Sequence, residues 1–351
     1  MLKAARVHDY TLQGQGETNK KVLEATIHTA DRPTPVGVSL YRPKTKKGDP
    51  RIWFYGFRQF TEPDDVYAVF VSRSQIHLLN LTQSPLADAM ASGVQSELTR
   101  FFVVRAEAAS AIASELVVRL RQLAANGPLE AVCEGDTAIG RSIETALGIR
   151  INSSRAPDYM GIELKSGRIP ISGSETRATL FACVPDWSLS RCKSSWEILE
   201  EFGYARNGQF KLYCTVSSQR PNSQGLVFHV EEAQRWLRER YVNQRPKEVA
   251  VWRLSTLEEC LAAKHKETFW IKARSVRIRR RERFELLSVT HTKNPNLPQL
   301  ERMLKDGSVT MDHLIKRTST GGAREKGPLF KINRPRLKEL FLGEPSQYSL
   351  K

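Results

Sequence analysis

The chain has 351 residues, 40% of them hydrophobic, which is enough for two domains, or for one large domain with an appendage. Its 54 basic and 38 acidic residues leave a formal charge of +16, which favours a polyanionic partner such as nucleic acid. The sequence shows neither a basic amphipathic helix beside a bilayer anchor nor an apolar run of membrane-spanning length, so we expect no membrane association. The N-terminal stretch lacks an uninterrupted apolar segment, and we expect a cytoplasmic protein.

Residues 22–82 predict a mainly β segment. Its runs VLEATIHT, VGVSLYR, RIWFYGF, VYAVFVS and SQIHLLNLT are short, rich in β-branched and aromatic residues, and mostly separated by Pro, Gly or Asp. The stretch RIWFYGFRQF also interleaves Arg51 and Arg58 with five aromatic residues. Such a composition either stacks against nucleic acid or places about half of its aromatic side chains in a core, and both interpretations remain open.

A helix is expected next, because apolar residues recur at helical spacing from Ser114 to Leu123. Asn126-Gly127-Pro128 is a strong helix-ending signal. We therefore predict an N-terminal, mainly β domain over residues 1–127, with a C-terminal helix, as a candidate DNA-binding or regulatory module. Residues 128–351 form the second predicted domain.

The second domain alternates helices and strands. DTAIGRSIETALGI is an amphipathic helix with Asp136 as its predicted N-cap, and RATLFACVP is a strand. SSWEILEEFG is a helix that ends at Gly203, and FKLYCTVSS and GLVFHVEE are further strands. This order predicts an α/β or α+β fold.

The cysteines indicate neither a disulfide framework nor a zinc site. They are odd in number and form no CxxC pair. They are Cys133, Cys183, Cys192, Cys214 and Cys260.

The stretch APDYMGIELKSG, residues 156–167, contains the clearest chemical motif. In a strand, Glu163 and Lys165 share one face, and a tight turn at Gly161 can fold Asp158 back beside Glu163. Two carboxylates and the Leu164 carbonyl would then converge on one point, and such oxygen ligands suit Mg²⁺. Lys165 would orient or deprotonate an attacking water. The alternative is an amphipathic edge strand with a Glu163–Lys165 ion pair, in which Asp158 only caps a turn.

The longer run GRSIETALGIRINSSRAPDYMGIELKS resembles the MvaI/BcnI family of restriction endonucleases, which is related to the MutH/Sau3AI group. The resemblance covers residues 130–342 and includes a C-terminal pattern of a histidine-containing strand end, a helix, a Gly turn, an aspartate and a GxxFxI strand. The matching positions of the central run are Gly140, Arg141, Glu144, Leu147, Gly148 and Ile149, then Pro157, Asp158, Tyr159, Gly161, Glu163, Leu164 and Lys165.

This resemblance implies a PD-(D/E)xK restriction-endonuclease-like core with a recognition lobe at approximately 245–330. Asp158, Glu163 and the Leu164 carbonyl would be metal ligands, with Mg²⁺ as the cofactor. Lys165 would be the catalytic lysine, and Glu144 a carboxylate near the metal; the alternative for Glu144 is a solvated helix residue.

The implied activity is Mg²⁺-dependent cleavage of double-stranded DNA in restriction or phage defence. The family pattern further implies a monomer that recognises a short, CC/GG-containing pseudopalindrome and nicks its strands one at a time. Two alternatives remain: a MutH-like repair nickase gated by a partner that docks on the N-terminal domain, and a non-enzymatic DNA-binding protein with an idle nuclease fold.

The stretch FWIKARSVRIRRRERF, residues 269–284, is the strongest basic cluster. As one strand, it would carry four arginines on one face, with Lys272 and Arg274 continuing a positive edge. Arginine forks bind guanine edges or phosphates, although a solvated strand face is the alternative. His291 and Lys293 would join this surface if they lie in a loop that faces DNA; a lone histidine is otherwise a structural hydrogen bonder. The predicted DNA-binding residues are Lys272, Arg274, Arg277, Arg279, Arg281, Arg283, His291 and Lys293.

Overall fold

The computed structural model describes residues 2–3, 5–29, 32–72, 75–83, 97–135, 137–149, 157–169, 177–279, 281–325 and 327–351. The predicted N-cap Asp136 lies outside these residues, as does Arg280 of the basic cluster. The chain divides into two compact units, Met1–Ala111 and Ile112–Lys351. Among the described residues, no helix is long and apolar enough to cross a membrane.

The first unit is a five-stranded sheet. In chain order its strands are β1 (Lys21–His28), β2 (Pro33–Tyr41), β3 (Arg51–Phe54), β4 (Tyr67–Ser72) and β5 (Gln75–Asn80). Their order in the sheet is β3-β2-β1-β5-β4, with β1 and β5 parallel and the other neighbours antiparallel. Ala25, Ile27, Val38, Leu40 and Ile76 are fully buried on its core side. The mainly β prediction for this segment is confirmed.

The remaining elements follow in chain order. The first half comprises α1 (Glu97–Ala125), β6 (Leu129–Glu130), α2 (Ala138–Ala146), β7 (Glu163–Arg168), β8 (Ala178–Ala182), α3 (Ser195–Phe202), β9 (Tyr204–Arg206), β10 (Gln209–Val216), β11 (Leu226–Glu231), β12 (Trp236–Tyr241) and β13 (Lys247–Arg253). The second half comprises α4 (Leu254–His265), β14 (Glu267–Ile278), β15 (Arg281–Lys293), α5 (Leu297–Lys305), β16 (Val309–Arg317), β17 (Ala323–Glu325), β18 (Leu329–Ile332) and β19 (Ser346–Ser349).

Helix α1 contains the division between the two units and ends before Asn126-Gly127-Pro128, as the sequence predicts. The predicted domain boundary, residue 127, lies just past the end of this helix, whereas the compact units divide at Ala111. Leu116 and Leu120 of α1 are fully buried in a core of the second unit. This part of the helix is therefore structurally a component of the second unit.

The second unit contains two main sheets, which the α/β prediction anticipated. One has the order β19-β15-β14-β7, with β6 paired to β15, and its core includes Ile143, Phe269 and Phe284. The other has the order β8-β18-β16-β10-β9 and shares a second core with the three-stranded sheet β11-β12-β13 and with helices α4 and α5. Strand β7 lies at one edge of the first sheet and pairs in parallel with its neighbour β14.

The prediction that residues 269–284 form one strand was wrong. The chain reverses between β14 and β15, where Arg279 adopts a positive φ of 52°. Arg277 pairs with Glu282, and Ile278 pairs with Arg281, so Arg277 and Arg281 point to opposite faces of the hairpin. The turn contains neither Gly nor Asn, the residues that usually mark such a reversal.

The segment of the predicted recognition lobe, approximately 245–330, contributes strands to three sheets. Strands β14 and β15 belong to the same sheet as β7, whereas β13 and β16 belong to the other two sheets. The composition of the segment gave no sign of this division, because the pairing of β14 with β7 joins residues far apart in the chain.

Candidate active site

A two-residue turn shapes the site immediately before β7. The Tyr159 N–H donates to the Ile162 carbonyl (2.9 Å), and the Ile162 N–H donates to the Tyr159 carbonyl (2.7 Å). Met160 and Gly161 between them have φ values of 44° and 95°, the positive values of a type I′ turn. The predicted tight turn at Gly161 is therefore confirmed.

The turn brings Asp158 back alongside the beginning of β7. Its Oδ2 accepts a hydrogen bond from the Leu164 N–H at 2.9 Å. The N–H and carbonyl of one strand residue point to the same edge of the strand, and β14 occupies the opposite edge of β7. The Leu164 carbonyl therefore points to the same edge as the Asp158 carboxylate.

Glu163 is buried and held by two lysines. Its side chain is only 2% exposed, and its two oxygens lie 2.7 Å from Lys165 Nζ and 3.2 Å from Lys264 Nζ. The edge position of β7 and the Glu163–Lys165 ion pair agree with the alternative interpretation, whereas the burial of Glu163 and its second contact, with Lys264, are features that interpretation did not include. Lys264 lies at the end of α4, and the sequence reasoning missed it.

The carboxylates of the site repel one another. Burial raises the pKa of Asp158, and the nearby charge of Glu163 raises it further, although the hydrogen bond from Leu164 opposes this. Burial also raises the pKa of Glu144, and the charges of Asp158 and Glu163 add to the effect. Negative charge that is both desolvated and crowded is relieved by a bound cation.

Helix α2 carries Glu144 to this cluster through a close approach to β7. A Cβ at Gly140 would lie 3.4 Å from Ser166 Oγ and 3.8 Å from Glu144 Oε1, which are ordinary contact distances, so α2 packs directly against β7 here. Glu144 is half-buried rather than fully solvated. The structure thus brings Glu144, Asp158, Glu163 and Lys165 together.

The donor set fits Mg²⁺. Among the residues described, no group of three or more His, Cys, Asp or Glu side chains is placed to hold a metal ion. Mg²⁺ does not require such a group, because it keeps several waters and takes one or two carboxylates together with substrate phosphate oxygens. Asp158, Glu163 and the Leu164 carbonyl supply oxygen ligands of that kind.

His265 anchors the end of α4 that carries Lys264. It is completely buried, and its ring nitrogens lie 3.0 Å from the Thr268 hydroxyl and 2.8 Å from the Leu180 carbonyl. The ring stacks on Trp270 with centroids 5.2 Å apart. Burial lowers the pKa of His265 to about 3, and the positive charge of Lys165 contributes, so the ring stays neutral.

A cavity on the face of the sheet that carries Lys165 is lined by three basic residues and by Glu344. Lys272 pairs with Gly167, two residues beyond Lys165, so its side chain points to the face that carries Glu163 and Lys165. A Cβ at Gly167 would overlap the guanidinium of Arg334, which lies directly against this glycine. Lys272, Arg334 and Lys338 line a cavity of about 310 Å³ here. Of these three cations, the sequence predicted Lys272 alone.

The other predicted DNA-binding arginines lie on the β14–β15 hairpin. Arg277 and Arg279 are exposed. Arg274 contacts Glu285 at 3.3 Å, and Arg281 and Arg283 contact Glu130 at 2.7 and 3.6 Å. Such ion pairs near the surface contribute little to stability, and their arginines can exchange a carboxylate for a phosphate.

His291 and Lys293 lie at the end of β15 rather than in a loop. His291 is 4% exposed, and its Nε2 lies 2.8 Å from Glu267 Oε1. Lys293 Nζ lies 3.2 Å from the same oxygen. The structure therefore places His291 as a buried hydrogen bonder, which was the alternative interpretation of this residue.

The model of the MvaI/BcnI restriction endonuclease family matches residues 117–341. The chain belongs to this family. It is accordingly a type II-like restriction endonuclease, with a sequence-specific DNA endonuclease activity, and the suspected resemblance is confirmed. The match includes all the residues of the site and begins within α1, so the five-stranded sheet of the first unit lies outside it.

One of two similar solved structures, with a TM-score above 0.5, supports the fold of this MvaI/BcnI-family endonuclease. The restriction endonuclease MvaI in complex with its cognate DNA substrate aligns with a TM-score of 0.58 at 19% identity, covering 68% of this chain and 98% of that one. MvaI in the absence of DNA aligns with a TM-score of 0.40 at 18% identity, with the same coverage. The search of curated proteins found no match.

Proposed function

We propose that the endonuclease hydrolyses DNA phosphodiester bonds at a Mg²⁺ site formed by Asp158, Glu163 and the Leu164 carbonyl. The observation that carries the proposal is the convergence of these groups at the start of β7, where Asp158 accepts from the Leu164 N–H beside the buried Glu163. The raised pKa of Asp158, caused by burial and by the charge of Glu163, supports a cation at this point.

Each residue has a distinct role in the proposal. When bound, Mg²⁺ lowers the pKa of a coordinated water and offsets the charge that develops on the phosphate. Lys165 orients the attacking water and offsets charge on the phosphate, since its Nζ lies 2.7 Å from Glu163, one of the proposed metal ligands. Lys264 fixes the second oxygen of Glu163, and Glu144 adds negative charge from α2.

The substrate in this proposal is double-stranded DNA. Lys272 points to the face that carries Lys165, and Arg334 and Lys338 line the same cavity as Lys272; their charges suit the phosphates that flank the scissile bond. The exposed Arg277 and Arg279 at the tip of the hairpin extend the contact to a groove or to more distant phosphates. We further propose that the enzyme acts as a monomer, nicks one strand at a time and serves in defence against foreign DNA such as that of phages.

Plasmid cleavage tests the proposal. Supercoiled plasmid, modified or unmodified, is incubated at low salt with Mg²⁺ or EDTA and with the wild type or Lys165→Ala. Lys211→Ala is the matched control, because Lys211 lies in β10, a strand of the other main sheet. We expect nicked or linear DNA only in Mg²⁺, and only with the wild type and Lys211→Ala. DNA binding without cleavage by the wild type on every plasmid would contradict the catalytic proposal and favour a partner-gated nickase or a binding protein.

A further inference from the structure

The first unit contains a cavity of about 690 Å³ that the nuclease chemistry does not use. Its lining includes Lys20, Ser39, Tyr41, Lys44, Trp53 and Tyr55. All of these residues lie within Met1–Ala111, outside the part that matches the family model. The volume falls in the usual range of small-ligand sites.

Strand alternation explains why aromatic side chains line this cavity. Val38 and Leu40 of β2 are fully buried in the core, whereas Ser39 and Tyr41 point to the opposite face. Trp53 pairs with Ser39 across the sheet and therefore shares its face. Its side chain is 58% exposed, which leaves a broad apolar surface open to a ligand.

Tyr55 is held in a fixed position beside Trp53. Its N–H donates to the Gly37 carbonyl at 2.8 Å, and its ring lies so close to Gly37 that a Cβ there would overlap it. Its hydroxyl lies 2.6 Å from the Ser39 hydroxyl, which is 1% exposed, and Lys20 Nζ lies 5.7 Å from the ring centroid. Tyr55 therefore adds a second aromatic ring, fixed by its hydroxyl and backbone contacts, beside the exposed Trp53.

The rim of the cavity carries the basic residues Lys20, Arg42 and Lys44 and one acidic residue, Glu17. Residues 42–51, RPKTKKGDPR, contain five basic residues and one acidic residue. Arg42 closes this loop by donating to the carbonyls of Gly48 (2.7 Å) and Gln13 (3.2 Å). Lys44, which borders the cavity, is exposed, as is Lys20. An aromatic platform beside cations complements the flat base and the phosphate of a nucleotide.

We propose that this cavity binds an unpaired DNA nucleotide. Its base stacks on Trp53, the hydroxyl of Tyr55 contacts the base edge, and Lys20 and Lys44 contact the phosphate. A paired base inside a duplex has its faces covered by its neighbours, so the exposed face of Trp53 fits a base that is single-stranded or extruded. An acidic peptide would satisfy the lysines but would leave the aromatic platform without a partner.

Fluorescence anisotropy in EDTA tests this binding on the full chain without cleavage. The labelled probes are a 12-nucleotide single strand, the corresponding duplex and the same duplex with one mismatched pair. Trp53→Ala is expected to weaken single-strand binding about fivefold to a hundredfold, the range for loss of one stacked base. Trp53→Phe keeps an aromatic face and should retain most of the affinity. Ile52→Ala is the matched control, because Ile52 is 39% exposed on the opposite face of the same strand.

The duplex probes identify the source of the nucleotide. If the wild type prefers the mismatched duplex to the perfect one, and Trp53→Ala removes that preference, the cavity accepts a base extruded from a duplex. Binding that depends on Trp53 only with the single strand supports the same cavity with single-stranded DNA as its ligand. Equal affinities of Trp53→Ala and the wild type for every probe, or an equal loss in Trp53→Phe and Trp53→Ala, would overturn the proposal.

The outcome does not depend on the proposed nuclease chemistry. Binding is measured without metal, so Trp53-dependent binding can persist when plasmid cleavage fails. Conversely, plasmid cleavage can occur when binding does not depend on Trp53.

Discussion

Lys264→Met tests the electrostatic arrangement around Glu163. The substitution keeps most of the apolar stem but removes the charge that lies 3.2 Å from Glu163 Oε2, leaving Lys165 as the remaining lysine of the pair. Glu163 is only 2% exposed, so water does not readily replace the lost partner. A hydrogen bond to a charged group contributes about 1.5–3 kcal/mol. Because Lys264 is 26% exposed, we expect a loss of about 2 kcal/mol in the free energy of unfolding without metal.

Urea denaturation followed by tryptophan fluorescence measures this loss. Trp53 is the only tryptophan before residue 112, so the signal of the other five reports the second unit. With a slope of about 2 kcal/mol/M, the variant's midpoint in EDTA should fall by about 1 M. Saturating Mg²⁺ should close at least about half of that gap, because the ion supplies positive charge to Glu163 in place of Lys264.

Lys266→Met provides the matched control, since Lys266 is exposed and lies two residues further along the chain. Its midpoint should equal that of the wild type with and without Mg²⁺. An unchanged midpoint for Lys264→Met in EDTA would refute the described contact. A gap that stays the same in EDTA and in Mg²⁺ would refute the idea that the metal and Lys264 share Glu163.

Three further variants address the turn, the metal ligand and the buried histidine. Asp158→Asn can still accept a hydrogen bond from the Leu164 N–H, so its free energy of unfolding should lie within about 1 kcal/mol of the wild-type value. Its cleavage of plasmid should be at least about a hundredfold slower, and a fully active variant would exclude Asp158 as a metal ligand. Gly161→Ala must adopt a φ near 95° and should cost about 1 kcal/mol or more in urea denaturation, whereas Gly322→Ala, which has no such strain, should cost less. The pKa of His265 falls from 6.5 in the unfolded chain to about 3 in the fold, so the unfolded chain binds the proton more tightly and stability falls as the pH drops from 6.5 towards 3. The free energy of unfolding of the wild type should therefore fall by about 2 kcal/mol between pH 7 and pH 5. The His265→Asn variant lacks this proton-binding group, so its urea midpoints at the two pH values should not show this loss.

Local signals in the sequence predicted the centre of the site well. Gly161 marked the turn, strand alternation placed Glu163 and Lys165 on one face, and both follow from backbone geometry within a few residues. The roles of these residues in catalysis stay predictions until they are tested. The α/β fold of the second unit was equally predictable from the sequence, since its helices and strands show clear hydrophobic periodicity and clear ends such as Gly203.

Contacts between distant segments were not predictable. Lys264 reaches Glu163 because β14, which follows α4, pairs with β7, and no pattern around Lys264 indicates that pairing. Arg334 lies against Gly167 for the same kind of reason. The prediction of a single strand for the basic cluster was wrong because alternating Arg and apolar residues fit one long strand as well as two paired strands. The positive φ of Arg279, which decides between them, has no local marker.

The location of the bound metal tests the central claim most directly. Crystals of the enzyme soaked in Mn²⁺, which replaces Mg²⁺ at oxygen ligands and scatters anomalously, would show the ion in an anomalous difference map. We expect one peak within about 2–2.5 Å of Asp158, Glu163 and the Leu164 carbonyl oxygen, and no peak at this position in Asp158→Asn crystals. A wild-type map with no peak there, or with its strongest peak at other residues, would contradict the assignment of this site as the metal-dependent nuclease centre.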